Sequence, residues 1–266
     1  MTRIISIANQ KGGVGKTTTT VNLAASLATY QCRVLMVDMD PQGNATMGSG
    51  IDKQNCKFSV YHLLTEKADI EEVIVTSEKA GFDLLPSNSD LVAAEVELMQ
   101  EIGRESRLRH NLKKVAKNYD YILIDCPPSL NMLTVNALVA SDSVLIPMQC
   151  EYYALEGLSD LTRTVKQIAK LINPKLKIEG IIRTMYDPRS SLTNAVSAQL
   201  RKYFGDRVYR SSIPRNVRLA EAPSHGVPAL VYDKHSKGAV AYLALAGELL
   251  NRHKTAHNEK AELAGS

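Results

Sequence analysis

The chain has 266 residues, 44% of them hydrophobic and 23% charged, a composition that supports one sizeable folded core. Its net charge of +4 says little by itself, but 5% aromatic content with no Trp excludes base stacking as the main way of holding a nucleic acid. No apolar stretch reaches the roughly 18 residues of a membrane span, and the opening MTRIISIANQ has no pattern of a secretory leader.

Apolar runs of strand length alternate with helix-period segments. Strands are predicted over Arg3–Ala8, Arg33–Asp38, Phe82–Pro86, Tyr121–Asp125, Ser143–Pro147 and Ile178–Met185. Helices are predicted over Lys16–Thr29, Ser89–Glu101, Arg107–Lys117, Met132–Ala140, Leu155–Leu171, Leu192–Phe204 and Ala239–Arg252. Strands without clean polar alternation are covered on both faces. Their alternation with helices predicts an α/β fold, a doubly wound, mostly parallel sheet with helices on both faces. No Pro/Gly/Ser-rich linker interrupts the chain, so residues 1-252 read as a single domain and 253-266 as a polar, disordered tail. Cys32, Cys56, Cys126 and Cys150 are scattered without CxxC spacing, which predicts reduced, mostly buried thiols rather than a metal cluster.

The first strand runs directly into Gln10-Lys11-Gly12-Gly13-Val14-Gly15-Lys16-Thr17-Thr18 and then a helix. Glycines let a backbone curl its N–H groups toward phosphate oxygens, and the helix N-terminus adds partial positive charge. Within such a phosphate loop Lys16 reaches the β- and γ-phosphates and the Thr17 hydroxyl binds Mg²⁺. The ordinary motif needs Gly where Gln10 stands, and an additional lysine, Lys11, precedes the glycines.

Carboxylates follow two of the other strands. Asp38 and Asp40 end VDMDPQGN, at the carboxyl edge of a strand where open α/β sheets bind ligands; an Asp-Pro turn is the plain structural alternative. Asp125 ends the apolar run YILID, the arrangement that holds Mg²⁺ through its water shell. Between Ile181 and Val240 ten Lys/Arg face four acids, an excess of six. Such a segment is either a solvated basic face or a footprint for a polyanion.

KGGVGKTTT resembles the deviant Walker A motif of the ParA/MinD ATPases. QKGGVGKTTTTVNLA, VDMDPQGNAT, IDCPPSL, PMQCEYYALEGL, TMYDPR and IPRNVRLAEAPSHGVP extend the resemblance over nearly the whole chain, closest to chromosomal, Soj-like ParA partition proteins. It implies a P-loop ATPase with ATP and Mg²⁺ as cofactors. Gly12, Gly13, Val14, Gly15, Lys16, Thr17 and Thr18 would hold the nucleotide, with Lys11 reaching a partner subunit's nucleotide in an ATP-bound homodimer. Asp40 would position the attacking water and, with Thr17 and Asp125, serve the metal. Pro214 and Asn216 would contact adenine, although Ile181-Ile182-Arg183-Thr184 lacks the Asn that some relatives carry there.

For the short form of the family the resemblance further implies non-specific binding of double-stranded DNA through Arg189 and Arg218, with Arg201, Lys202, Arg207 and Arg210 as auxiliaries. It implies a ParB-type centromere-binding partner that stimulates a slow hydrolysis, and a cytoplasmic, nucleoid-associated protein. A MinD-like membrane switch is the alternative, but NRHKTAHNEKAELAGS lacks the apolar stripe of a membrane-binding helix. An amidotransferase-like synthetase would need a small-molecule pocket, an iron–sulfur reductase paired cysteines, and a tyrosine-kinase relative a Tyr-rich tail; none is visible in the sequence.

Overall fold

The computed structural model describes residues 2–265, with side chains through Thr255. Eight strands are β1 (Arg3–Ile7), β2 (Val34–Asp38), β3 (Val75–Ser77), β4 (Phe82–Leu85), β5 (Tyr121–Asp125), β6 (Ser143–Gln149), β7 (Lys177–Tyr186) and β8 (Val208–Pro214). They form one sheet in the order β3-β4-β2-β5-β1-β6-β7-β8. Every neighbouring pair is parallel except β3 with β4, so the expected mostly parallel sheet is observed.

The helices are α1 (Lys16–Thr29), α2 (Asn44–Gly48), α3 (Val60–Leu64), α4 (Ile70–Val73), α5 (Leu91–Leu98), α6 (Arg107–Val115), α7 (Met132–Ala140), α8 (Ala154–Leu171), α9 (Ser191–Phe204), α10 (Val217–Glu221), α11 (Ala229–Tyr232) and α12 (Lys237–Gly265). Successive strand residues serve opposite faces of the sheet. Ile122 and Ile124 of β5 pack with Leu112, Leu138 and Leu161 of α6, α7 and α8. Tyr121 and Leu123, one residue out of phase, pack with Leu23 and Leu27 of α1 and Leu245 and Leu249 of α12. Both faces of YILID are therefore buried, which explains its lack of alternation; each such side chain contributes about 1.5–3 kcal/mol.

Chain order reverses about β1: β5 and β2 lie to one side and β6 and β7 to the other. That leaves a crevice at the carboxyl end of β1, the place where such sheets take ligands.

Beyond the short helices α2, α3, α4, α10 and α11, which the sequence did not predict, four differences stand out. β3 and β8 are additional strands, too short or too polar to register as apolar runs. α5 is confined to Leu91–Leu98, within the expected Ser89–Glu101. α12 continues past Arg252. His253, assigned to the polar tail, is buried against the sheet: its ring stacks on Tyr121, Nδ1 lies 2.9 Å from the Tyr121 hydroxyl, and Nε2 lies 2.9 Å from Glu179. The rest of the expected 253-266 tail falls largely on residues outside the described side chains.

The amino end of the sheet is thus closed by a polar chain. Ser143 Oγ donates to Glu179 Oε2 at 2.6 Å, opposite His253. Burial alone would raise the Glu179 pKa, but the His253 and Ser143 hydrogen bonds and the His253 charge overcome it and hold the carboxyl down to about 2. At the β8 edge, Glu248 of α12 accepts from the backbone N–H groups of Arg210 and Ser211 at 2.9 and 2.8 Å.

Candidate functional site

The loop between β1 and α1 curls through two left-handed glycines, Gly13 (φ 73°) and Gly15 (φ 86°), conformations that other residues adopt only under strain. A Cβ placed on Gly12 or Gly13 would meet nothing within 4 Å, so the backbone there faces open space. Gly15 caps α1, whose first amides have no preceding helical carbonyl to bond. The loop is braced from beneath by Thr184 of β7, whose hydroxyl donates to the Val14 carbonyl at 2.7 Å. Thr184 opens the TMYDPR segment, but nothing in the sequence gave it this bracing role; it stands where the resemblance led one to look for an Asn.

Lys16 is buried, and its Nζ donates to the Lys11 carbonyl at 3.2 Å. Desolvation lowers its pKa, partly offset by the nearby charge of Asp125. An ammonium folded back on its own loop and short of counter-charge is set to receive an anion. Lys11 behaves differently: its side chain is 47% exposed at the rim and pairs with Glu151, just after β6.

Asp125 is fully buried at the end of β5. Its oxygens accept from Thr17 Oγ1 at 2.8 Å and Thr20 Oγ1 at 2.9 Å. Asp38 lies beside it in register on β2. Desolvation and mutual repulsion push the pair's titration upward. Asp38 accepts from the Thr46 amide and hydroxyl at 2.8 and 2.7 Å and from the Asp40 amide at 3.1 Å. It therefore ties the residue 40–46 loop to the sheet. Asp40 projects farther out, accepting only the Gln42 amide at 3.0 Å, while its carbonyl receives Ser87 Oγ at 2.8 Å. Asp40 and Asp125 thus both lie near Lys16, with Asp38 holding the residue 40–46 loop in place.

Among the described residues no three His, Cys, Asp or Glu side chains cluster as a metal cage. The oxygens of Thr17 and Asp125 fit Mg²⁺, which keeps several waters and uses one or two protein oxygens beside phosphate. The Thr17 hydroxyl with Asp125 behind it supplies that pattern. The four cysteines are free, with Cys126 and Cys150 buried.

Beside Gly15 and Thr18 opens a cavity of about 450 Å³ lined by Met185, Pro214, Asn216 and Tyr242. It is of the size and mainly apolar character that suit a small planar ligand. The buried Asn216 Oδ1 has no hydrogen-bond partner among the described residues and lies against Gly238 of α12. Pro214 and Asn216 are therefore brought to the cavity, on the far side of Gly15 from the carboxylates.

The basic segment does not form one face. Arg183 is buried, donating to Ser197 Oγ and to the carbonyls of Tyr209 and Arg210, so its inclusion in a surface footprint is corrected: it clamps β7, β8 and α9. Arg189, 89% exposed, follows β7 and pairs with Asp187; Arg218 on α10 follows β8 and pairs with Glu221 and Asp233. Both sit near the carboxyl ends of adjacent strands. Arg201 and Arg210 instead line a separate groove with α12.

Comparison with known proteins points the same way. The AAA domain family matches residues 2–178. An uncharacterized protein of Pseudomonas putida is 65% identical over 254 residues, 96% of this chain and 97% of its own. The sporulation initiation inhibitor protein Soj of Bacillus subtilis is 55% identical over 94% of this chain and 98% of its own, and the chromosome partitioning protein ParA of Myxococcus xanthus 53% over 94% and 88%. Among solved structures, cobyrinic acid a,c-diamide synthase of Mycobacterium smegmatis with an ATP analogue and magnesium superposes with a TM-score of 0.85 at 36% identity, covering 96% and 97% of the two chains. The cell division ATPase MinD of Pyrococcus furiosus gives 0.78 at 28% identity, covering 94% and 99%.

Proposed function

Because the chain belongs to the ParA/MinD family of P-loop ATPases, with Soj- and ParA-type partition proteins among its relatives, we propose that it is a DNA-partition ATPase whose ATP-bound homodimer holds DNA without sequence preference. ATP with Mg²⁺ is its cofactor set. Thr17 and Asp125 would hold the metal, which supplies charge neutralisation at the transferred phosphate. Lys16 binds the β- and γ-phosphates, and Asp40 orients the attacking water and helps order the metal's water shell. Pro214 and Asn216, which line the cavity beside Gly15, enclose adenine.

The observation that carries this reading is the pair of lysines on one loop. Lys16 is buried in the cradle, whereas Lys11 stands exposed at its rim, held only by Glu151. A rim lysine contributes little to its own nucleotide but can neutralise a triphosphate presented by a second subunit, so that ATP governs association and hydrolysis releases it. Arg189 and Arg218 bind DNA phosphates once the dimer forms. A ParB-type partner then accelerates a slow hydrolysis, and the protein acts in the cytoplasm on the nucleoid. No helix among the described residues is long and apolar enough to cross a membrane.

The test compares bulk duplex DNA with anionic liposomes in ATP and in ADP. DNA should be retained only with ATP and weaken steeply with salt. Arg189→Glu and Arg218→Glu should each lower the salt slope by about 1. Binding to liposomes in place of DNA would select the MinD-like reading, and binding to neither would favour a small-molecule synthetase.

A further inference from the structure

β2 and β4 are parallel neighbours, with Val37 beside Leu85. Their carboxyl ends therefore bring the turn Asp40–Gly43 next to Ser87, although Ser87 lies 47 residues beyond Asp40 in the chain. The turn closes on a hydrogen bond of its own, from the Gly43 amide to the Asp40 carbonyl at 2.9 Å. A chain reversal needs nothing more. Here two outside residues bind it as well. Ser87, fully buried, donates its Oγ to the same Asp40 carbonyl at 2.8 Å, so both acceptor positions of that oxygen are filled. Lys53, half-buried, donates its Nζ to the Gln42 carbonyl. Ser87 also donates its amide to Thr46 Oγ1 at 2.9 Å, and that hydroxyl donates to Asp38.

Gly43 shows how closely the turn is seated. Its φ is 60°, and a Cβ there would lie 2.6 Å from the Ser87 carbonyl oxygen and 2.8 Å from Lys53 Cδ. The two residues that bond the turn also wall it in. The Asp40 backbone is thus fixed at its amide by Asp38 and at its carbonyl by Ser87. Its carboxylate is held lightly: Oδ1 accepts the Gln42 amide, and Oδ2 has no donor among the described residues. The charge of Asp40 still acts on Lys16 and Asp125. A carboxylate with a fixed base and a free oxygen is suited to take a water at a set place. Such placement matters, because a displacement of about 1 Å can cost about 100-fold in rate.

We infer that Ser87, supported by Lys53, is a positioning residue for ATP hydrolysis: it sets where the Asp40 carboxylate meets the attacking water. The inference rests on the reading of Asp40 above, and its test separates the two. Among the described residues neither side chain hydrogen-bonds to residues 9–18, so substitution should act on turnover and not on nucleotide affinity.

Phosphate release by the full chain with Mg·ATP gives kcat and KM. Ser87→Ala should lower kcat about tenfold with KM within about twofold of wild type. Lys53→Met should lower kcat about threefold, and Lys53→Arg, which keeps a donor, should restore it. In an Asp40→Ala background Ser87→Ala should have no further effect, since the group it positions is gone. An unchanged kcat in Ser87→Ala overturns the inference. So does a KM that rises as much as kcat falls, or an undiminished effect of Ser87→Ala beside Asp40→Ala; either would leave Ser87 a structural residue only. Retained ATP affinity reports that each variant folds. Should Ser87→Ala lose it, the Lys53 variants decide, and equal turnover in Lys53→Met, Lys53→Arg and wild type overturns the assignment. If Asp40→Ala itself turns over normally, the reading of Asp40 fails and the inference with it. If Asp40→Ala is slow but Ser87→Ala is not, the inference fails alone.

Discussion

The two ends of the sheet differ in how they hold most of their buried polar groups. At the amino end, Tyr121, His253, Glu179 and Ser143 form a chain with partners at 2.6–2.9 Å, and the Tyr209 hydroxyl alone among the described groups there is buried without one. At the carboxyl end, Asn216 Oδ1 has no partner among the described residues, Lys16 is desolvated, and Asp38 and Asp125 repel each other. A satisfied network stabilises and specifies a fold, whereas unsatisfied groups persist where a ligand completes them. The contrast teaches that the amino end maintains the structure and the carboxyl end performs chemistry, and substitutions can break or sharpen it.

The largest effect is expected from Lys16→Ala. Removing two charge-assisted phosphate contacts should weaken ATP binding by about 100-fold or more, while Tm moves little, because Lys16 bonds only one loop carbonyl. Isothermal titration together with thermal melting checks both halves; unchanged affinity would remove the loop from the site. Asp40→Ala comes next: ATP is still bound, turnover falls by one to three orders of magnitude as expected for a lost water-positioning group, and dimer accumulates by light scattering. Normal turnover would move that role elsewhere.

Glu179→Gln should give the smallest and opposite result, with unaltered ATPase and a loss of about 1–3 kcal/mol in denaturant melts at pH 7. The Glu179 pKa is depressed in the fold, to about 2 from an ordinary 4.5. Its stabilisation is therefore present above about 4.5 and lost as pH falls toward 2. Wild type and Glu179→Gln should converge in stability across that window. A constant difference would mean that packing, not charge, carries the contribution.

This contrast also accounts for what could be read from sequence. α1, β5 and α7 match their expected bounds residue for residue, because long periodic or wholly apolar segments bury faces that any fold must cover. α2, α3 and α4 went unseen because four or five residues span little more than one helical turn, too few to show a repeating pattern. β8 was hidden by Arg210, Ser211 and Ser212, polar residues on an edge strand. The phosphate loop and the strand-end carboxylates were legible because their chemistry is local in sequence. Thr184 under Val14, Thr20 against Asp125 and Arg183 across β7 and β8 were not, since each acts on residues far along the chain. His253 was obscured for the same reason: one buried ring in a polar stretch carries no periodic signal.

Glu248 has a consequence for assembly. An open edge strand is a template on which another chain can extend the sheet. By occupying the Arg210 and Ser211 amides, the Glu248 carboxylate leaves neither of them free to pair with an added strand. Lateral growth along β8 would first have to dislodge α12, so copies of this molecule are steered away from cross-strand polymerisation at that edge and toward contacts between side chains, which can be undone.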